Sequence, residues 1–220
     1  MGVTPFGYPV LVDLPGRRCV VVGALPVREG KVEGLLAGGA TDVLIVALEP
    51  AERLQGLEVL EGVRVARREW YASDFTGAFL VIAHDPDPAM RGRIANAARA
   101  AGALVNVVDD VAWCDWAAPA VVRRGELLFA IGTGGASPAL SKKLRERLEA
   151  EFGPEWAEVL RVLREVREET LPLLPGLRDR SRRWQTALDP DEAAELVRAG
   201  GADELRARLR SRLLEGVVAP

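Results

Sequence analysis

Apolar positions fall along this chain in two rhythms. Short continuous runs, rich in β-branched residues and bounded by glycine or charge, alternate with stretches where apolar residues return every three or four positions. The runs are "RRCVVVG" (17–23), "DVLIVAL" (42–48), "GAFLVIAH" (77–84) and "ALVNVVDD" (103–110). A run without polar alternation predicts a strand covered on both faces, the habit of parallel sheets. "VRVARREW" (63–70) alternates and predicts a more exposed strand. Between the runs, residues 27–37 carry Val27, Val32, Leu35 and Leu36 at helical spacing and stop at Gly38-Gly39. Residues 87–102 repeat the helical pattern and also end in glycine. Strand and helix alternate, which predicts an α/β domain built on a parallel, Rossmann-like sheet.

The rhythm changes after Trp116. "PAVVRRGELLFAIGTGG" (119–135) predicts two strands around a turn at Arg124-Gly125. "SPALSKKLRERLEAEF" (137–152) predicts a helix with Ser137 as N-cap and Pro138 at its first position. From Gly153 onward the pattern is helical: 154–170, then segments near 178–188, 190–199 and 201–215, broken by "LPLLPG" (171–176), Asp189-Pro190 and Gly200-Gly201. Three parts are expected: a Rossmann-like domain over 1–115, a strand-strand-helix region over 116–152, and an all-helical domain over 153–220.

Composition narrows the function classes. The 220 residues are 49% apolar, enough for a real core. A net charge of −3 argues against a general nucleic-acid binder. Cys19 and Cys114 lie far apart without metal-ligand spacing, and Cys19 falls within a strand run, so it reads as core filler in a reducing, cytoplasmic setting. No apolar stretch approaches the ~20 residues of a membrane span, and "MGVTPFGYPVLVDLPGRR" has no secretory pattern.

Five places carry candidate chemistry. The turn after the first strand, "GALPVREGK", sits where a dinucleotide fold places its phosphate loop, yet the three fingerprint positions hold Gly23, Leu25 and Arg28. Nucleotide binding and a plain strand–helix turn both remain open there. "VNVVDD" (105–110) ends in two acids at a strand's C-terminal end, where open α/β sheets bind ligands; a helix cap or turn is the bland reading. "GTGGASPALSKKLR" (132–145) places Thr133 and Ser137 beside glycines before a capped helix, an anion-friendly turn or an ordinary loop. His84, the lone histidine, closes the strand "FLVIA" at a ligand-facing end, although a lone histidine supports no metal site. Arg123 and Arg124, at the expected turn, are placed either to meet carboxylates or to stay solvated.

Taken in order, these pieces resemble one family: precorrin-2 dehydrogenase/sirohydrochlorin ferrochelatase, the N-terminal module of siroheme synthase. The matching stretches are "YPVLVDLPGRRCVVVG", "LVNVVDD" and "CDWAAPAVVRRGELLFAIGTGGASPALSKKLRERLE", the segment 104–148 being most specific. The resemblance implies an NAD-dependent oxidoreductase that converts precorrin-2 to sirohydrochlorin, in some members inserting ferrous iron as well. It also implies a homodimer whose central region is the dimerisation region. The first acid of the pair, Asp109, takes the catalytic role of general base or substrate orienter. Asn106, Thr133 and Ser137 fall to the tetrapyrrole substrate. Gly23, Ala24, Leu25, Glu49 and His84 fall to the cofactor, and no residue to a resident metal.

The departures cluster on the nucleotide side. Ala24 and Leu25 stand where relatives carry glycines, Gly30 replaces an arginine, and His84 replaces a residue more often threonine. Two alternatives therefore stand beside the dehydrogenase: a tetrapyrrole chelatase or binding protein that has lost NAD-dependent activity, and a non-enzymatic dimer. Retention of Asp109, Thr133 and the "TGG-SPAL" run speaks against the last.

Overall fold

The computed structural model describes residues 6–23, 28–48 and 56–217, with backbone alone at Arg28 and Glu29. The chain divides into two compact units, Met1–Ala118 and Pro119–Pro220.

In the first unit, β1 (Arg18–Val22), β2 (Asp42–Val46), β3 (Val63–Ala66), β4 (Ala78–Ala83) and β5 (Leu104–Val107) form one sheet. Their order is β3-β2-β1-β4-β5, and every pairing is parallel. Two helices, α1 (Arg28–Ala37) and α2 (Pro88–Ala100), cover the sheet. Alternate residues of β1 enter different cores: Cys19 and Val21 pack with Val32 and Leu35 of α1, while Val20 and Val22 pack with Ile94, Ala95 and Ala98 of α2. Both faces of the strand are dry, which is why its apolar run is unbroken. Burial pushes the Cys19 thiol up to about 11, with the Asp42 charge adding to the shift. Cys19 is core filler, as its position in the run implies.

The third strand is shorter than the alternation over 63–70 predicts. It ends at Ala66, and a 3-10 turn follows at Ala72–Phe75. Arg68 leaves the sheet edge and donates two hydrogen bonds to the Asp74 carboxylate, at 2.7 and 2.8 Å. Asp74 is buried and also accepts the Tyr71 N–H at 2.8 Å. A charge buried this way requires such partners, and meeting them bends the chain.

The second unit opens with a hairpin of β6 (Ala120–Arg124) and β7 (Leu127–Ile131). Its turn is Gly125-Glu126, one residue later than the sequence suggests, and Gly125 has φ +58°. A positive φ at the first turn position suits glycine and matches the twist of a hairpin. Helix α3 (Pro138–Glu151) follows, then α4 (Glu155–Thr170), α5 (Leu177–Ala187), α6 (Pro190–Arg198) and α7 (Ala202–Leu214). Val159, Val162 and Val166 of α4 share a core with Leu205, Leu209 and Leu213 of α7, both sets at helical spacing. Hairpin, α3 and the later helices all belong to this one unit. Among the described residues Arg124 forms no salt bridge; it donates to the Phe152 and Glu149 carbonyls at 2.7 and 2.9 Å, closing the open C-terminal end of α3.

Candidate functional site

β1 and β4 are neighbours, although β2 and β3 intervene in sequence. Such a reversal of strand order opens a crevice at the C-terminal ends of the strands, the usual ligand site of an open α/β sheet. Gly23 closes β1 at that edge. Its N–H donates to the Val46 carbonyl at 3.0 Å, and the His84 N–H donates to the Val22 carbonyl at 2.9 Å. The φ of Gly23 is +105°, and a Cβ there would lie 1.8 Å from the His84 carbonyl oxygen. Only glycine lets the chain leave the sheet this way.

Of the five residues assigned to the cofactor, the structure brings Gly23 and His84 together. Ala24, Leu25 and Glu49 lie outside the described residues. His84 Nδ1 is buried without a hydrogen-bond partner among the described residues. That orphaned nitrogen, beside a turn that only glycine permits, fits a polar ligand lying across the crevice. A cleft of about 570 Å³ opens at the same edge, lined by Val22, Gly23, Val46, Trp70, Tyr71 and Met90 among others. The Arg68–Asp74 pair stiffens its wall, with the Arg68 guanidinium 4.9 Å from the Tyr71 ring centre. The hydrogen bonds from Arg68 hold the Asp74 carboxyl below the usual carboxylate range, against the opposing effect of burial. Neither the pair nor the cleft is apparent in the linear sequence; an arginine six residues before an acid at the end of an alternating run is the only trace.

The acid pair closes the next strand. The Val108 N–H donates to the Ala83 carbonyl at 2.9 Å, continuing the β4–β5 ladder into the turn. Asp109 is exposed and has φ +61°. A left-handed conformation at a non-glycine residue is uncommon, and aspartate tolerates it better than most. Asp110 points elsewhere: its carboxylate lies 3.6 Å from the Arg91 guanidinium of α2. Asn106 is buried, and its amide donates to the Trp116 carbonyl at 2.8 Å. The Cys114 thiol accepts the Val107 N–H at 3.1 Å and lies 3.1 and 3.4 Å from the Val107 and Asp110 carbonyls. Burial pushes this thiol upward, so it remains a neutral brace for the turn. Asp115 anchors the far end, receiving Arg99 through both oxygens and the Val105 N–H at 2.9 Å. Asn106 and Cys114 together hold the segment that follows Asp109 against β5.

Thr133 and Ser137 lie in the second unit, in the glycine turn before α3. Gly134 and Gly135 take φ +59° and +80°. Ser137 is the N-cap, its Oγ accepting the Leu140 N–H at 3.1 Å. The Thr133 hydroxyl lies 3.2 Å from Ser141 Oγ and 3.3 Å from the Ser137 carbonyl. Among the described residues no group of three or more His, Cys, Asp or Glu side chains is arranged to hold a metal ion, and no helix is long and apolar enough to cross a membrane.

A family described as "Putative NAD(P)-binding" matches residues 10–120, half of the chain. The chain belongs to this family. The match covers the whole parallel sheet with Gly23, His84 and Asp109, so the crevice belongs to an NAD(P)-binding domain. The siroheme synthase of Methylococcus capsulatus is 34% identical over 202 residues, covering 89% of this chain and 41% of that protein. The siroheme synthase of Nitrosococcus oceani is 30% identical over 210 residues, covering 96% of this chain and 44% of its own length. The chain thus spans about two fifths of these relatives. Among solved structures, "SirC, precorrin-2 dehydrogenase" matches with a TM-score of 0.64 and 25% identity, over 94% of this chain and 97% of that one. The family resemblance read from the sequence, and the Rossmann-like fold with a helical C-terminal part, are borne out by these likenesses.

Proposed function

We propose that this protein oxidises precorrin-2 to sirohydrochlorin, with NAD⁺ as hydride acceptor. One observation carries the reading: a protein named as precorrin-2 dehydrogenase matches this chain nearly end to end. The crevice at β1 and β4 and the acid turn after β5 supply the chemistry on one sheet edge.

The oxidation removes a hydride and a proton from the macrocycle. NAD⁺, when bound, supplies the acceptor for the hydride. The turn at Gly23 and the strand end at His84 would hold the dinucleotide, with the His84 ring as a polar group beside it. An acid after the second strand, Glu49 in this sequence, would suit the ribose hydroxyls of NAD⁺. Asp109 receives the proton as general base. Its exposed carboxylate, held in a left-handed turn, projects from the strand end, while Asp110 beside it is engaged by Arg91. Asn106 orders the segment behind the base.

The active species is a homodimer. Helix α3 has no buried residue, and Leu140 and Leu144 are 48% and 37% exposed on it, one turn apart. Val121, on the outward face of the hairpin, is 38% exposed. A second copy of the chain covers this surface.

The test is to mix pure protein with precorrin-2, with and without NAD⁺, and follow sirohydrochlorin absorbance. NAD⁺-dependent product is expected, with Asp109→Asn folded but at least ~100-fold slower. Product that forms at the same rate without NAD⁺ overturns the reading. Ferrous iron added as a further substrate, with sirohydrochlorin, tests chelation in the same cell.

A further inference from the structure

We infer that Arg91 is a positioning residue for this oxidation, tying the loop at the cofactor crevice to the turn that carries Asp109. The inference rests on the proposed reaction and adds a residue that neither the sequence pattern nor the resemblance singles out. Arg91 lies in the first turns of α2, and its guanidinium faces two ways. Nε donates to the Asp85 carbonyl at 2.6 Å, and Asp85 directly follows His84 in the crevice. Nη1 lies 3.6 Å from an Asp110 carboxylate oxygen, directly beside Asp109. Both side chains are mostly buried, Arg91 at 20% and Asp110 at 22% exposure, so solvent screens their attraction less than at the surface.

Two neighbouring carboxylates at one strand end repel each other. Arg91 offsets the charge of Asp110 and draws that side chain toward α2, which leaves Asp109 as the acid presented outward. The planar fork of arginine suits this double duty; a lysine ammonium has one head and satisfies one partner well. The rest of the segment is attached to α2 by other means. Trp113 lies against Gly92, where a Cβ would come within 2.8 Å of its ring. Asp115 receives Arg99 at 2.8 Å. Loss of Arg91 therefore frees the near end of the turn and leaves the domain folded. A hydride acceptor and a base must stand in fixed relation, and a misplacement of about 1 Å costs about 100-fold in rate.

The full chain is assayed as wild type, Arg91→Gln, Arg91→Lys, Asp110→Asn and the double variant Arg91→Gln/Asp110→Asn. Steady-state sirohydrochlorin formation, calorimetric NAD⁺ affinity and thermal unfolding are measured on each. In Arg91→Gln the expected result is a kcat about 10- to 100-fold lower, with KM for precorrin-2 and Kd for NAD⁺ each within about threefold. Arg91→Lys recovers part of the loss. The double variant is no slower than the slower single variant, because both changes break one link. A kcat within about twofold of wild type in both Arg91→Gln and Asp110→Asn, or a loss that follows falling thermal stability alone, overturns the role of Arg91. A wild-type protein that makes no sirohydrochlorin overturns the functional reading itself, and this inference with it.

Discussion

Gly23 sits where a nucleotide fingerprint begins, and that much is visible in the sequence. The reason it must be glycine is not, because the atom it avoids, the His84 carbonyl oxygen, belongs to a strand far along the chain. The residue is therefore required by the sheet itself, whatever Ala24 and Leu25 do. Gly23→Ala combines a clash with backbone and a disfavoured φ, and is expected to destabilise the first unit by about 3 kcal/mol or more. Denaturant unfolding checks this; a wild-type midpoint would show that the strand end relaxes freely. Asp109 was legible for a simpler reason: an acid closing an apolar run lies at a strand end. Its left-handed backbone was not, since nothing local distinguishes it from Asp110. Asn106 was legible as part of a motif, but its hydrogen bond to Trp116 depends on where the chain returns after the turn.

At the level of elements, the unbroken runs located β1, β2, β4 and β5 closely, because burial on both faces removes polar alternation. Cap and breaker residues did the same for the helices: Asp189 and Ser137 accept the N–H groups expected of N-caps. The edge strand failed at Arg67, where alternation continued on paper but Arg68 turned to meet Asp74. That pair gives the 67–75 segment a pH dependence with a definite sign. The Asp74 carboxyl is held below its ordinary value of 3.8, chiefly by Arg68. A depressed acid stabilises the fold above its unfolded value and loses that contribution as pH falls through the folded one. Asp74→Asn is therefore expected to cost about 1–3 kcal/mol near neutral pH. The gap between wild type and variant should narrow as pH drops below about 4. A gap that stays constant down to the acid limit would mean the carboxylate charge contributes nothing.

Across the whole molecule, two units of different character divide the work. The first carries the crevice and the acid turn; the second carries a helical core and a hairpin with α3 that bury little of their apolar surface. The sequence separated these characters through the change of rhythm after Trp116, yet it suggested a third part. The hairpin lacks a core of its own: Phe129 packs against Phe152 with tilted rings 4.5 Å apart between centres, and Val122 is buried in the same unit. Leu140→Glu with Leu144→Glu places charge on the exposed face of α3 and is expected to halve the mass measured by light scattering. A mass unchanged from wild type would move the contact between copies elsewhere. The departures in the loop after Gly23 bear on one question above all, namely whether the cofactor still takes the hydride. Sirohydrochlorin and NADH counted together, in one oxygen-free reaction of the pure protein with precorrin-2 and excess NAD⁺, answer it directly. One NADH for each sirohydrochlorin is the expected result; sirohydrochlorin appearing without NADH would contradict the proposed oxidation.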